Sequence, residues 1–280
     1  MQKEVIVMAE KLEDVILRQQ PFRSILIIKK VISLKTEKAI SGETFKVISN
    51  RGMPFKLRYC RKLSQARAIE RNVKMLPKAF PRFYGREGRY LLFDWIDGEN
   101  LTKDASPEDC YTIGKMMGEA HALEDVDSKR KLDQFFNPIL ELIGKNLVFN
   151  KKELAQIRVK YEKFKKKLKI DIVLEFNDVH GQNLIKDRRG RIYFIDEEGF
   201  GHRIKGLGFA KLFMAPKEWM KKPEQQEAFW RGYKEHHSND YFDKDYQELI
   251  LFIQLIRSIA TRIKTNQDVT MLKKQLLRML

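Results

Sequence analysis

Apolar positions recur along this chain with two different periods, and the change from one to the other divides it. Val5, Met8, Leu12, Val15 and Ile16 lie at helical spacing and predict one buried face over residues 3–19. From 25 to 60 the pattern turns strand-like in three runs, at 25–28, 45–48 and 55–59, with Asn50-Arg51-Gly52 as a hairpin turn between the last two. A helix follows over about 64–76, with Ser64 as its cap and Pro77 near its end. Residues 90–96 form an apolar strand closed by Asp97-Gly98, where the composition shifts. Beyond that point helical periods dominate. They cover 106–123, opened by Ser106-Pro107-Glu108, then two or three helices in 129–169, then about 217–236, 243–265 and a last helix to Leu280. Short strands near 172–176, 184–186 and 192–195 interrupt this half, and no repeat or low-complexity linker appears.

At 280 residues the chain can bury a large core in one domain or two lobes. The longest apolar run, 249–253, is broken by Gln254 and Arg257 and is too short to cross a bilayer. Lys3, Glu4, Glu10 and Lys11 interrupt the apolar N-terminus, so a soluble, cytoplasmic protein is expected. Cys60 and Cys110 lack any CxxC partner and read as reduced structural thiols, and His236-His237 reads as exposed polar surface. The net charge of +17 favours anionic partners, from nucleotides and phosphosugars to a membrane surface or nucleic acid. Much of it is local: residues 145–169 hold ten Lys or Arg against Glu153 and Glu162. Leu154, Ile157, Tyr161, Phe164 and Leu168 give that segment one apolar helix face. The basic remainder is either a solvated face or a docking surface for an acidic partner.

Candidate chemistry gathers in three places. On the strand at 55–59, Lys56 and Arg58 point the same way, opposite Phe55, Leu57 and Tyr59, and two such cations suit phosphate binding. Glu70 on the following helix is placed to orient one of them, and Ser41-Gly42-Glu43-Thr44 is a candidate phosphate-covering turn. Further on, Asp178 follows an apolar strand, Asn183 comes five residues later, and Asp196 ends another apolar strand. A phosphoryl-transfer site needs a carboxylate to orient and deprotonate the attacking hydroxyl. It also needs hard oxygen donors for the magnesium that bridges the phosphates. Asp178 fits the first role; Asn183 and Asp196 fit the second. Singly, each of the three is also explained by turn chemistry or an exposed acidic loop.

Asp178-Val179-His180-Gly181-Gln182-Asn183 resembles the Asp-x-His-x-x-Asn catalytic loop of the aminoglycoside phosphotransferase and choline kinase branch of the protein-kinase-like superfamily. Ile195-Asp196 is similar to that branch's metal-binding aspartate, and residues 91–101 to its lobe-connecting hinge. Ile113-Gly114 through Ala120-His121 and Phe229-Trp230-Arg231-Gly232-Tyr233 resemble two of its helix motifs, so the likeness runs from about Ile40 to Lys264. It departs at Phe176, where the family usually has histidine, and at Gly208-Phe209-Ala210, where an aspartate is usual.

The resemblance implies an α+β, bilobal protein-kinase-like fold. A small antiparallel-sheet N-lobe would cover 1–96, with a hinge at about 93–98, and a mainly helical C-lobe would cover 97–280. It implies ATP and Mg²⁺ as cofactors, with adenine against Phe93, Asp94, Trp95 and Ile96. Arg58 fits the family's "Leu-Leu-Arg" form as the phosphate-binding cation, with Lys56 the alternative. The function implied is an ATP-dependent kinase of a small-molecule hydroxyl. His180 and the lack of a recognisable activation segment disfavour a protein kinase, and the remaining alternative is a catalytically silent module for an anionic partner such as RNA or an anionic membrane. The positive charge points away from cationic aminoglycosides and toward a sugar, a phosphorylated metabolite or a lipopolysaccharide core sugar, although Glu197 and Glu198 could form a local acidic pocket.

Overall fold

The computed structural model describes residues 12–34, 42–101, 105–123, 128–177, 179–209, 220, 222–237 and 243–280. The chain separates into two compact units, one comprising residues 1–100 with 182–200, the other 101–181 with 201–280. The described elements of the first part of the chain are helix α1 (12–19) and strands β1 (Ile28–Ser33), β2 (Gly42–Ser49) and β3 (Pro54–Cys60). Helix α2 (Leu63–Met75), β4 (Phe83–Glu87), β5 (Tyr90–Asp94) and β6 (Gly98–Asn100) follow. Next come α3 (Pro107–Ala122), α4 (Ser128–Lys145), α5 (Lys151–Lys167), β7 (Ile172–Phe176), β8 (Leu184–Asp187), β9 (Ile192–Phe194) and β10 (Phe200–Ile204). The last described elements are α6 (Pro223–Lys234), α7 (Lys244–Lys264) and α8 (Thr270–Leu277).

In the first unit, a five-stranded antiparallel sheet has the order β1-β2-β3-β5-β4. Strand alternation gives it two unlike faces. One carries Phe45, Val47, Leu57 and Leu92, which are fully buried with Ile16 and Phe22. The other places Lys46, Lys56 and Phe93 in register across β2, β3 and β5, with Thr44 and Arg58 one pair along. The Asn50-Arg51-Gly52 hairpin turn is present: Gly52 has φ +76° and its N–H bonds Ser49 O at 2.9 Å. A smaller sheet, β6-β8-β9, belongs to the same unit.

Three expectations are revised here. The first strand begins at Ile28, not Ile25, because the Ile25 and Leu26 N–H groups bond back to Phe22 O in a tight turn. Ile25 and Ile27 are accordingly left about half exposed. Helix α2 starts one residue earlier than expected, with Lys62 at its N-cap and no side-chain cap, so Ser64 lies inside the first turn. Residues 42–44 extend β2 by pairing with Arg58, Tyr59 and Cys60, so Gly42 is a strand residue rather than part of a phosphate-covering turn, and Ser41 lies outside the described residues. Strands β4, β6 and β10 were not expected; β4 and β6 carry too few apolar residues to show a period, with Gly98, Glu99 and Asn100 all exposed.

The second unit is mainly helical. Helix α3 starts as expected: Ser106 Oγ accepts from Asp109 N–H, Asp109 returns the bond to the Ser106 N–H, and Pro107 occupies the first turn. Its Gly114 and the Gly232 of α6 let the two helices touch backbone to backbone. A Cβ on Gly114 would lie 1.9 Å from Phe229 O, and one on Gly232 would lie 2.1 Å from Tyr111 O. Phe136 of α4 stacks on Tyr161 of α5 with centroids 3.6 Å apart, and Phe252 of α7 completes that core. Strand β7 is buried at all five positions and pairs with β10. Cys60 and Cys110 are buried free thiols. Among the described residues no helix is long and apolar enough to cross a membrane.

Candidate active site

Within the sheet unit, Lys56 and Arg58 project from the polar face of β3 onto the residues that follow β9. The Lys56 ammonium donates to Ile195 O at 2.6 Å and to both carboxylate oxygens of Glu197 at 2.7 and 2.8 Å. Arg58 pairs with Glu198 and also reaches Thr44 Oγ1 at 3.4 Å. Glu197 is fully buried, so it is neither an exposed loop residue nor half of an acidic pocket: with Glu198 it neutralises the two strand cations. Glu70 does not orient them. Its partners are Lys74 at 2.8 Å and Arg86 at 2.5 Å, and the Lys74 hydrogen bond is the main cause of its lowered pKa. A helix-borne glutamate was the natural expectation from sequence order, but the pairing is made from a 3-10 turn at Glu197–Gly199 that sequence spacing does not connect with β3.

Asn183 and Asp196 are brought together by the β8-β9 ladder. Leu184 pairs with Phe194, and one step further Ile195 N–H donates to Asn183 O at 3.0 Å. Asp196 then opens the Glu197–Gly199 turn, half-buried, and its carboxylate makes no hydrogen bond or ion pair among the described residues. The two glutamates that follow are thus committed to cations, while Asp196, between the strand and Glu197, is without a partner among the described residues. An aspartate and an amide are hard oxygen donors of the kind magnesium takes, and magnesium draws its remaining ligands from phosphates and water. Among the described residues no three His, Cys, Asp or Glu converge as a metal cage.

Of the candidate hinge residues, Phe93 lies in register with Lys56 on this face, while Asp94 pairs with Phe55 on the other. Phe93 is fully buried with the Lys56 ammonium 5.8 Å from its ring centre, and Asp94 accepts from Tyr84 Oη at 2.7 Å. Trp95 lies under the Lys46 ammonium at 4.3 Å, and Ile96 is half-buried.

In the helical unit, Asp178 lies outside the described residues, but its neighbours are held by a buried network that the motif spacing did not reveal. Glu175, fully buried on β7, accepts from Gly206 N–H at 2.7 Å and shares a 2.9 Å bond with His121 Nε2. His121 in turn bonds Tyr233 Oη at 2.9 Å through Nδ1. His121 and Tyr233 are thus the meeting point of the two helix motifs at 113–121 and 229–233. Gly208 fills the place where an acid was expected. A Cβ there would lie 2.1 Å from Phe176 O and 2.7 Å from Glu175 Oε1, so the absent side chain makes room for the strand that leads to Asp178. The signal for Glu175 was present as a lone charge in an otherwise apolar strand. Arg257 of α7 holds the residue between that strand and Asp178, donating to Asn177 Oδ1 at 2.5 Å.

His237 departs from the surface role expected of it. It stacks on Tyr233 with centroids 5.6 Å apart, and the buried Lys205 ammonium lies 3.4 Å from its Nδ1. Burial, then the charges of Lys205 and His121, lower its pKa to about 4. Burial raises the Cys110 thiol to about 12, with the neighbouring Asp109 adding to the rise.

No family model and no curated protein matches the chain. Solved structures do. Choline kinase LicA from Streptococcus pneumoniae is 14% identical over 97% of this chain and 98% of its own, with a TM-score of 0.68. The gentamicin complex of APH(2")-IIa is 17% identical over 94% of each chain, with a TM-score of 0.66. A putative fructosamine-3-kinase from Thermobifida fusca is 13% identical over 90% of this chain and 95% of that one, with a TM-score of 0.63. The expected fold class is therefore present, an antiparallel sheet-rich N-terminal part and a mainly helical C-terminal part, and these solved structures share it. Identities this low establish the fold alone, since one fold serves many activities.

Proposed function

We propose that the protein is an ATP-dependent phosphotransferase that phosphorylates a hydroxyl of a small molecule. The observation that carries the proposal is the Asp196 carboxylate, half-buried and without a partner among the described residues beside Asn183, while its neighbours Glu197 and Glu198 hold Lys56 and Arg58. That is an arrangement with one open oxygen donor next to fixed cations. The kinase and phosphotransferase neighbours support the reading at the level of fold.

In this reading Asn183 and Asp196 hold Mg²⁺, which when bound offsets the charge of the phosphate oxygens. Lys56 is the preferred phosphate-binding cation because its ammonium is fixed on the carbonyl next to Asp196, and Arg58 is the second. Glu197 takes the orienting role expected of Glu70. Phe93, Asp94, Trp95 and Ile96 line the adenine side. Asp178 orients the acceptor hydroxyl and takes its proton, and its loop is steadied from behind by Glu175 and Arg257. Catalysis then rests on positioning and fixed charge, with no covalent enzyme intermediate. The acceptor proposed is a neutral or anionic metabolite such as a sugar, because Glu197 and Glu198, the acids that could have received a cationic acceptor, are already paired with Lys56 and Arg58.

The test is a magnesium-dependent thermal shift with ATP, followed by ATP consumption across a panel of hydroxyl metabolites. Asp178→Ala is expected to lose turnover and keep nucleotide binding. Asp196→Asn is expected to lose the magnesium-dependent part of the shift. Full turnover in Asp178→Ala, or a magnesium effect unchanged in Asp196→Asn, overturns the assignment.

A further inference from the structure

Among the described residues of the helical unit, the large apolar side chains that reach solvent are Leu147, Val159, Met271 and Leu280, at 86, 54, 63 and 38% exposure. All four lie on the α4–α5 turn, on α5, or on α8 and the residues just after it. These segments are tied together: the Lys273 ammonium of α8 donates to Val148 O at 2.8 Å and to Glu153 of α5 at 3.1 Å. Leu147 has φ +54°, a left-handed position where glycine or asparagine is usual. It accepts that backbone cost while burying almost nothing within the chain.

The cations of α5 divide by side. Lys160, Lys165 and Lys167 are paired with Glu248, Asp133 and Asp245. Lys152, Lys163 and Lys166 are exposed and have no hydrogen-bond or ion-pair partner among the described residues. With Val159 they sit at helical spacing on the side opposite the buried Ile157, Tyr161 and Phe164. Unpaired lysines around exposed aliphatic residues suit the boundary of an anionic bilayer, where ammonium groups meet headgroups and aliphatic tips enter the acyl edge. A single-stranded nucleic-acid surface would offer aromatic side chains for stacking, and among the described residues no exposed large apolar side chain is aromatic.

We propose that α5, the Leu147 turn and α8 form a peripheral docking surface for an anionic lipid bilayer. The surface is independent of the phosphotransferase reading and is tested without turnover. Full-length protein is sedimented with phosphatidylcholine vesicles and with vesicles that also contain phosphatidylglycerol, and binding is expected to the anionic vesicles only. Three lysines at about 1 kcal/mol each near an anionic surface make the triple variant Lys152→Gln, Lys163→Gln and Lys166→Gln weaker by on the order of a hundredfold. Leu147→Ser with Met271→Ser is expected to weaken binding to the same vesicles at constant charge, and it provides a second readout if the triple variant does not fold. Equal partition to neutral and anionic vesicles overturns the proposal. So does anionic-vesicle binding that survives the triple variant while its binding to single-stranded RNA is lost.

Discussion

Removing Glu197 is the sharpest test of the sheet unit. Its carboxylate is fully buried and the Lys56 side chain is only 12% exposed, so each charge depends on the other for what water no longer supplies. Three short contacts fix the ammonium, two from Glu197 and one from Ile195 O. Glu197→Ala leaves the ammonium with one neutral acceptor, and breaking a buried pair from one side costs about 3–5 kcal/mol. Glu197→Gln keeps one acceptor and loses the charge, and hydrogen bonds to a charged group contribute about 1.5–3 kcal/mol, so its cost should fall in that lower range. The double variant Lys56→Met with Glu197→Leu removes both charges and retains the volume. It should recover most of the stability, because a buried pair replaced by apolar groups is often neutral. Urea unfolding of Lys56→Met, Glu197→Leu, the double variant and the parent measures the cycle, with Glu197→Ala and Glu197→Gln unfolded alongside. A Glu197→Ala variant within about 0.5 kcal/mol of the parent, or a double variant as unstable as the two singles summed, refutes the buried-pair account. On the proposed function the double variant should be stable and inactive, which separates the structural from the functional role of Lys56.

Gly208→Ala should lower both stability and turnover, since its methyl would sit 2.1 Å from Phe176 O; unfolding and ATP consumption measured together check it, and an unaffected protein refutes the close approach. Arg257→Ala should free Asn177 and reduce kcat at least tenfold, the loss of a charged hydrogen bond, with little change in nucleotide binding. His237 has a folded-state pKa of about 4 against an ordinary 6.5. Between those values the unfolded chain binds the proton and the folded chain does not, so stability falls as pH drops from about 6.5 toward 4. His237→Asn should flatten that acid limb. Cys110, buried with its thiol raised to about 12, should resist thiol reagents in the native protein and react once the chain is unfolded in urea.

Much of the architecture was legible because it rests on local periods. The Ser106-Pro107 start of α3, the Gly52 turn and the apolar faces of α5 and α7 follow from patterns within a few residues of one another. So does the same-side placement of Lys56 and Arg58, which only requires a strand. Strands β4 and β6 escaped because a strand paired at a sheet edge need not bury alternate side chains. The partners of the charged groups were a different matter. Spacing suggested Glu70 for the strand cations, yet Glu197 and Glu198 take them from about 140 residues away. Likewise His121, Glu175 and Tyr233 meet from three separate elements.

The sequence by itself determined which residue types are available for phosphoryl transfer and which side of a strand or helix each occupies, because backbone geometry imposes those periods locally. Only the tertiary structure decided which charge neutralises which. That choice depends on burial, where a carboxylate deprived of water must take the nearest ammonium, whatever its position in the chain. It is also what left Asp196 as the carboxylate of its acidic run without a partner among the described residues.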